Sequence, residues 1–549
     1  MTKSKIKLGL SVVATVTVAF GFARVAHGWS EPKILNEQEN SVPADTEEDE
    51  KDDVAEKVKD ESVVNQTETA VEAAPKIEIK ERRPWQAPNF SAQDGALGWS
   101  ATAFDVPKKL EARVNFWKDV YTRYTTDQGL LHDSQLVSVI YEKVDFKRET
   151  SRRERKHFLE ARKKDIRERL LKLDKFDTEF QKTQVIPKLE GEDLRIWTLF
   201  NEITEPHRFK KATERKRLRF QLGQRDRFIQ GIYYSGRYLP EMERVFKEAG
   251  MPRELTRLPF VESSFNVKAR SRVGASGVWQ FMRYTGRKFL RIHYAVDERN
   301  DPIRATEAAA RLFRLNFEML SKWSLAITGY NHGPVGVQRM IRKFETDDIT
   351  DLVDERRGRF GFASANFFSC FLAALEVEKQ ATKYFGPVYW DAPMDAREIK
   401  LTRSVSHKVL EKWFGGDVEK AKELNPHLAR VFWLGYAQLG AKDFVRVPTP
   451  QFEIAKKDLE NLPAATKAVA SVSSSVGAAN TGLAAGTVVA AGGDGEASVQ
   501  YYVIAPGETL GQIARELGVS IVALTEMNGI DNPRALHPGQ KLMVPPSKK

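Results

Sequence analysis

The 549-residue chain holds a single cysteine, Cys370, so no disulfide can form within it and no cysteine-based zinc site can be built. Its nine histidines show no H-E-x-x-H or comparable ligand spacing, which argues against a metal and against metal catalysis. Long apolar runs are also lacking. The one uncharged stretch near the start, residues 8–23, contains Ser11, Thr15, Thr17 and two glycines, too short and too weakly apolar for a confident span. It follows Lys3, Lys5 and Lys7 and precedes Ala26-His27-Gly28, an A-x-A-like cleavage site, so residues 1–28 read as an export signal. The expected location is the periplasm or cell envelope, with membrane attachment only if that segment is retained. Residues 463–498 lack bulky aromatics and nearly all charge, which reads as a flexible linker.

What is present is charge. The formal net charge is +11, although residues 44–60 (ADTEEDEKDDVAEKVKD) are strongly acidic, so the remainder is more basic than the total. Nucleic acid, anionic lipid and anionic cell wall would all suit such a balance. Acidic residues are interleaved throughout RRERKHFLEARKKDIRERL, however, which fits solvated helices with i,i+4 pairs and argues against a nucleic-acid surface.

Composition divides the chain further. Residues 29–100 are acidic at first and poor in packing residues, and read as a disordered tether. Leu110, Val114, Trp117, Tyr121 and Tyr124 recur at helical spacing, and helical patterns over 153–175 and 208–220 make 101–235 an all-α region. Pro240 is expected to open a helix that Gly250 closes. Asp301 and Pro302 read as N-cap and first turn of another, and one more should end at residues 331–334. The resulting scheme is multidomain and mainly α, with a catalytic domain at 236–393, a compact mixed segment at 394–462, the linker, and a last domain at 499–549.

Chemistry concentrates between residues 258 and 333. Glu262 follows Leu258-Pro259-Phe260-Val261 and precedes Ser263-Ser264-Phe265, so its carboxyl is expected where water is scarce. A Glu that keeps its proton near neutral pH needs ~2.7 kcal/mol of differential destabilisation of its anion, which an apolar pocket can supply. A helix-terminal Glu paired with Arg253, Arg257 or Arg270 is the plainer alternative. Around it stand Ser271, Gly274-Ala275-Ser276-Gly277, Trp279-Gln280-Phe281-Met282 and Gly329-Tyr330-Asn331-His332-Gly333. The glycines permit tight turns, Trp279 and Met282 offer apolar faces for sugar rings, and Ser271, Gln280 and Asn331 offer neutral hydrogen-bonding groups.

Taken in order, E-S-x-F, G-A-S-G-V-W-Q-F-M and G-Y-N-H-G resemble the catalytic motifs of soluble and membrane-bound lytic transglycosylases. The resemblance implies a goose-lysozyme-like α+β catalytic fold. It implies Glu262 as acid and then base, Ser263, Ser271, Trp279, Gln280, Met282 and Asn331 in a glycan cleft, and Tyr330 against the Glu. It further implies non-hydrolytic cleavage of the bond between N-acetylmuramic acid and N-acetylglucosamine in peptidoglycan, leaving 1,6-anhydro ends, without a cofactor. Gly329 stands where the family commonly has Ala, and Arg283-Tyr284 replace its usual Pro, departures that bear on cleft shape. The lack of a second carboxylate close behind Glu262 suits a one-acid mechanism, since ordinary glycosidases need two. Asp297, Glu298 and Asp301 are the nearby acids, and a hydrolytic muramidase or chitinase directing water with Asp297 or Asp301 stays open, as does a non-catalytic wall-binding protein.

Residues 501–546 order as strand, helix, helix, strand, and resemble LysM, a family that binds N-acetylglucosamine-containing glycan. By that resemblance the groove is formed by Gly507, Glu508, Thr509 and Leu510 with Gly529, Ile530 and Asp531. Glu508 stands for the commoner Asp. Val409-Leu410, Leu424-Asn425-Pro426, Gly440 and residues 444–448 echo the same order, which makes 394–462 a degenerate LysM-like domain suited to a spacer role.

Overall fold

The computed structural model describes residues 82–84, 103–149, 151–185, 187–214, 216–271, 273–355, 360–463, 488–491, 499–519, 521–528, 530 and 536–544. The export signal and most of the tether lie outside them. One piece of the supposed tether is ordered: β1 (Arg82–Pro84) pairs antiparallel with residues 389–391, an edge that an extended Arg-Arg-Pro can join.

Helix α1 (Glu111–Thr122) buries Val114, Trp117, Val120 and Tyr121. The region after it departs from the all-α expectation. Strands β2 (Gln128–Asp133), β3 (Ile140–Asp145) and β4 (Leu218–Leu222) form an antiparallel sheet in the order β3-β2-β4, and the helix expected over 208–220 stops at Ala212. The physical reason lies in β2, which is covered on both faces. Leu130 enters the main core and its neighbour Leu131 a second one, so consecutive residues are buried and the apolar-polar alternation that identifies strands is absent. That second core is closed by α2 (Arg152–Thr183), whose N-terminus carries a Ser151/Glu154 capping box.

Helix α3 (Arg225–Glu248) runs through Pro240 instead of starting there. Phe228, Ile232, Leu239, Met242 and Phe246 are all buried along it, and this uninterrupted apolar face outweighs one missing backbone donor. The main core extends from Leu110 to Val388, so α1 and the first half of α3 share it with the later helices, and position 235/236 falls inside α3. The unit continues with α4 (Leu258–Glu262), α5 (Pro302–Leu320), α6 (Trp323–His332) and α7 (Phe362–Lys379). Asp301 caps α5 through Ile303 N (3.1 Å) and Arg304 N (2.8 Å), as expected. Helix α7 is buried nearly all round and forms the central pillar.

After β5 (Tyr389–Asp391), β6 (Ala396–Lys400) pairs antiparallel with β7 (Phe444–Pro448), with α8 (His407–Trp413) and α9 (Val418–Leu424) between them, around a core of their own. The last domain repeats this plan. Strand β8 (Val488–Ala491) adds to β9 (Val499–Val503), then α10 (Leu510–Glu516) and α11 (Ile521–Asn528) precede β10 (Lys541–Val544), which pairs back on β9. β8 falls inside the segment read as linker: Val488 and Val489 favour the extended form, and an open sheet edge offers a partner.

Both modules share one lock. Asn528 at the end of α11 donates to Leu524 O (2.9 Å) and Met543 O (2.8 Å) and accepts from Met543 N (2.6 Å). Asn425, just after α9, donates to Ala421 O (2.9 Å) and Arg446 O (2.8 Å) and accepts from Arg446 N (2.7 Å). In each case one side-chain amide ties the second helix to the returning strand.

Candidate active site

Glu262 is the last residue of α4, a single turn entered through a 3-10 turn at Arg253–Arg257 and fixed by Pro259. Phe260 lies flat on Phe228 (4.8 Å, 15°) and meets the edge of Phe265 (4.8 Å), which anchors the turn in the core. The helix ends because Ser264 and Phe265 take left-handed φ of 50° and 57°. Ser263 Oγ donates to Val278 O (2.8 Å), tying this end to the loop that follows. Arg257, one of the three arginines that could pair with Glu262, also binds Glu378 (2.9 Å) and Glu243.

The Glu262 residue is 7% exposed. Three buried hydroxyl or thiol groups feel its charge. Burial raises Tyr330 well above the ordinary phenol range, with a smaller contribution from Glu262. Tyr121 and Cys370 are likewise pushed well up, by burial first and by Glu262 among lesser causes. Tyr121 comes from α1 and Cys370 from α7, neither of which the sequence connects to Glu262; nothing in local spacing marks them.

The loop 269–281 is a tight double turn with isolated bridges Arg270 to Ser276 and Ser276 to Phe281. Ser271 Oγ accepts from Ala275 N (2.9 Å). Gln280, at φ 48°, donates to Ala269 O (3.1 Å) and Gly277 O (2.7 Å), while its buried Oε1 has no partner among the described residues. Arg299 clamps the loop from outside, donating to Gly274 O (2.7 Å) and Phe281 O (3.0 Å) and pairing with Asp297 (2.7 Å). Gly277 permits the approach: a Cβ there would lie 1.9 Å from Arg299 O.

The sequence-predicted residues divide into two groups. Ser263, Ser271, Gln280 and Tyr330 converge on this loop, and Tyr330 Oη donates to Trp279 O (2.7 Å). Asn331 accepts from Ser364 Oγ (2.8 Å), and Met282 is 42% exposed. Trp279 is a correction. It is fully buried, stacked on Phe246 (5.7 Å, 4°), with Nε1 bonded to Thr306 Oγ1 (2.9 Å), so it presents no face to a sugar and serves the core.

The neighbouring acids are occupied. Asp297 is held by Arg299, Glu298 accepts from Arg291 N (2.7 Å), and Asp301 caps α5 while pairing with Arg446. Arg299, Asn300 and Thr306, which build the outer wall of the loop, escaped the sequence reading because their contacts cross 18 to 27 residues.

In the last domain Gly507 takes φ 83° and is exposed at the turn. Glu508 accepts from Tyr502 Oη (2.5 Å) and Ala505 N (2.7 Å), so its carboxylate shapes the turn. Thr509 caps α10 in a capping box with Gln512. Leu510 is buried at 2% exposure, a correction to its place in the groove: its side chain packs inward and leaves only backbone for a ligand. Ile530 is partly buried against the domain's core, and Gly529 and Asp531 lie outside the described residues.

Residues 243–353 match the family model of the transglycosylase SLT domain, and residues 502–545 that of the LysM domain. The chain carries an SLT domain and a LysM domain. It is 27% identical over 315 residues to the membrane-bound lytic murein transglycosylase D of Escherichia coli strain K12, and equally to that of Escherichia coli O6:H1 strain CFT073. The match takes in 54% of this chain and spans 61% of the length of either relative. Every loop and motif residue around Glu262 falls within the SLT match, whereas Tyr121 and Cys370, which feel its charge, lie outside it.

Proposed function

We propose that the chain is an exported lytic transglycosylase that cuts peptidoglycan glycan strands, with Glu262 as its one acid and base. The observation that carries the reading is that one carboxyl is buried at the motif loop while Asp297, Glu298 and Asp301 are committed to Arg299, a backbone amide and a helix cap. In this reading Glu262 carries its proton when glycan binds, the state that burial of a carboxyl favours in general. Glu262 gives its proton to the oxygen between N-acetylmuramic acid and N-acetylglucosamine as that bond breaks. The muramoyl acetamide stabilises the cationic C1, then Glu262 takes the proton of the C6 hydroxyl, whose oxygen closes on C1. Atoms balance without water, and the new end is a 1,6-anhydro ring. Ser271, Gln280, Met282, Tyr330 and Asn331 line the glycan path, the free Oε1 of Gln280 being an acceptor for an acetamide N–H. The LysM domain holds the enzyme on insoluble wall and raises its local concentration there, with the module at 394–462 as a spacer.

Mass analysis of products from purified sacculi tests the reaction: anhydro ends are lighter by one water than hydrolytic ends. Glu262→Gln is expected to keep glycan binding and to lower turnover by about 10²–10⁴-fold. Near-normal turnover in that variant, or reducing ends alone, would refute the proposal.

A further inference from the structure

A cavity of about 290 Å³ lies where the SLT domain meets the 394–462 module, lined by none of the motif-loop residues and bounded by Arg291, Arg304 and Arg311 on one side and by Lys400 and Lys442 on the other. Two of these five cations are already balanced. Arg304 pairs with Glu307 (3.2 Å) and Glu398, and Arg291 pairs with Asp443 (2.7 Å). The two acids of the lining are engaged as well, Glu298 by Arg291 N and Glu307 by Arg304. Three of the cations are left without a carboxylate partner, while Glu298, held only by a backbone amide, keeps its charge in the same lining. Arg311 donates only to backbone carbonyls, Phe289 O (3.0 Å) and Glu307 O (3.3 Å), and Lys400 and Lys442 have no ion pair among the described residues. Lys442 also sits at φ 87°, a left-handed turn that glycine would take with less strain, so a cation is kept there against the backbone's preference. Phe289, Leu290 and Phe444 supply an apolar side to the same space.

We infer that this cleft binds a short peptide bearing two or more carboxylates, of the kind that branches from the glycan. The inference rests on the function proposed above, because that substrate is what brings such a peptide to the surface. Carboxylates would meet Arg311, Lys400 and Lys442, and the aliphatic part of the peptide would meet Phe289 and Leu290. The cleft would thereby favour strands that still carry their peptides, without taking part in the chemical step.

Calorimetric titration of the full chain with alanyl-γ-glutamyl-diaminopimelate, with its carboxamide form and with inorganic phosphate tests this. The acidic tripeptide should bind about tenfold more tightly than the amide, and more tightly than phosphate. Each lysine is expected to contribute about three- to fivefold, so Lys400→Gln/Lys442→Gln should weaken tripeptide binding by about tenfold. Turnover of peptide-free glycan strands by that variant should be unchanged. Equal binding of acid and amide, preference for phosphate, or an unaffected double variant would overturn the inference. Anhydro products from peptide-free strands report on Glu262 separately, so failure of this cleft and failure of the proposed reaction give different results.

Discussion

Replacing Gly277 by alanine should cost far more than the same change at Gly274, although both glycines stand in one loop and both have positive φ. At Gly274, φ is 90° and an added Cβ meets nothing within 4 Å, so the cost is the left-handed backbone alone, ~1–2 kcal/mol. At Gly277, φ is 78° and the Cβ would lie 1.9 Å from Arg299 O and 2.8 Å from its carbonyl carbon. Reaching even 3.0 Å requires a retreat of about 1.1 Å. The 297–301 loop has little freedom to retreat, because Arg299 is bonded to Gly274 O, Phe281 O and Asp297, and Ser276 Oγ is bonded to Asn300 (2.5 Å). Rupture of part of that set adds ~2 kcal/mol or more, for a total near ~3–5 kcal/mol. Thermal unfolding of the two variants, followed with turnover on sacculi, compares them. Gly277→Ala should lower both, since Gln280 donates to Gly277 O and must move with it. Equal, small losses in the two variants would show that Gly277 serves the turn only and that the close approach to Arg299 is soft.

Other expectations concern separate parts of the molecule. Burial holds His427 down at about 4, below its ordinary 6.5, so the unfolded chain takes the proton first. Its contribution is therefore whole above about pH 6.5 and is lost as pH falls toward 4, up to ~3 kcal/mol, and His427→Asn should flatten the acid limb of a stability-against-pH curve whatever it does to the plateau. Trp279→Phe should lower stability by ~1–2 kcal/mol through the lost bond to Thr306, whereas Met282→Ala, at an exposed position, should leave the unfolding temperature in place and raise KM for glycan. A Trp279 variant that loses glycan affinity with unchanged stability would show that its assignment to the core is wrong.

The parts of this fold that were legible in the sequence are those decided locally. Asp301-Pro302 predicts the start of α5 and Gly333-Pro334 the end of α6, because caps and turns act over three or four residues. The burial of Glu262 was legible from the apolar run before it, whereas its candidacy as an acid came from the motifs that follow in order, since the local sequence alone fits a paired structural Glu equally well. What could not be read is set by distance. β2 lost its alternation because two cores share it, and α3 kept going through Pro240 because partners far along the chain cover its face. Trp279 looked like a sugar platform since an aromatic residue beside Gln280 carries no mark of which side it faces; Phe246, Phe313 and Tyr330 decide that.

The same loop that closes the candidate site also carries the module behind it, and this bears on what the module is for. Val296 bridges to Leu428, Asp297 N donates to His427 O (2.7 Å), Ala429 N donates to Ala295 O (2.9 Å), and Asp301 is paired with Arg446 of β7. On its other side the loop sends Arg299 to Gly274 O and Phe281 O. Few intervening atoms thus separate the 394–462 module from the backbone that presents Gln280. Buried ion pairs are weak evidence for stability, since desolvation offsets most of the attraction, but they fix register strictly. A spacer held only by apolar packing could slide; one keyed by Asp301, Arg446 and Asn425 cannot without leaving buried charge and amide unpaired. The 394–462 module is on this argument a brace for the motif loop, and the Asn425 lock, which fixes its second helix to β7, serves that duty.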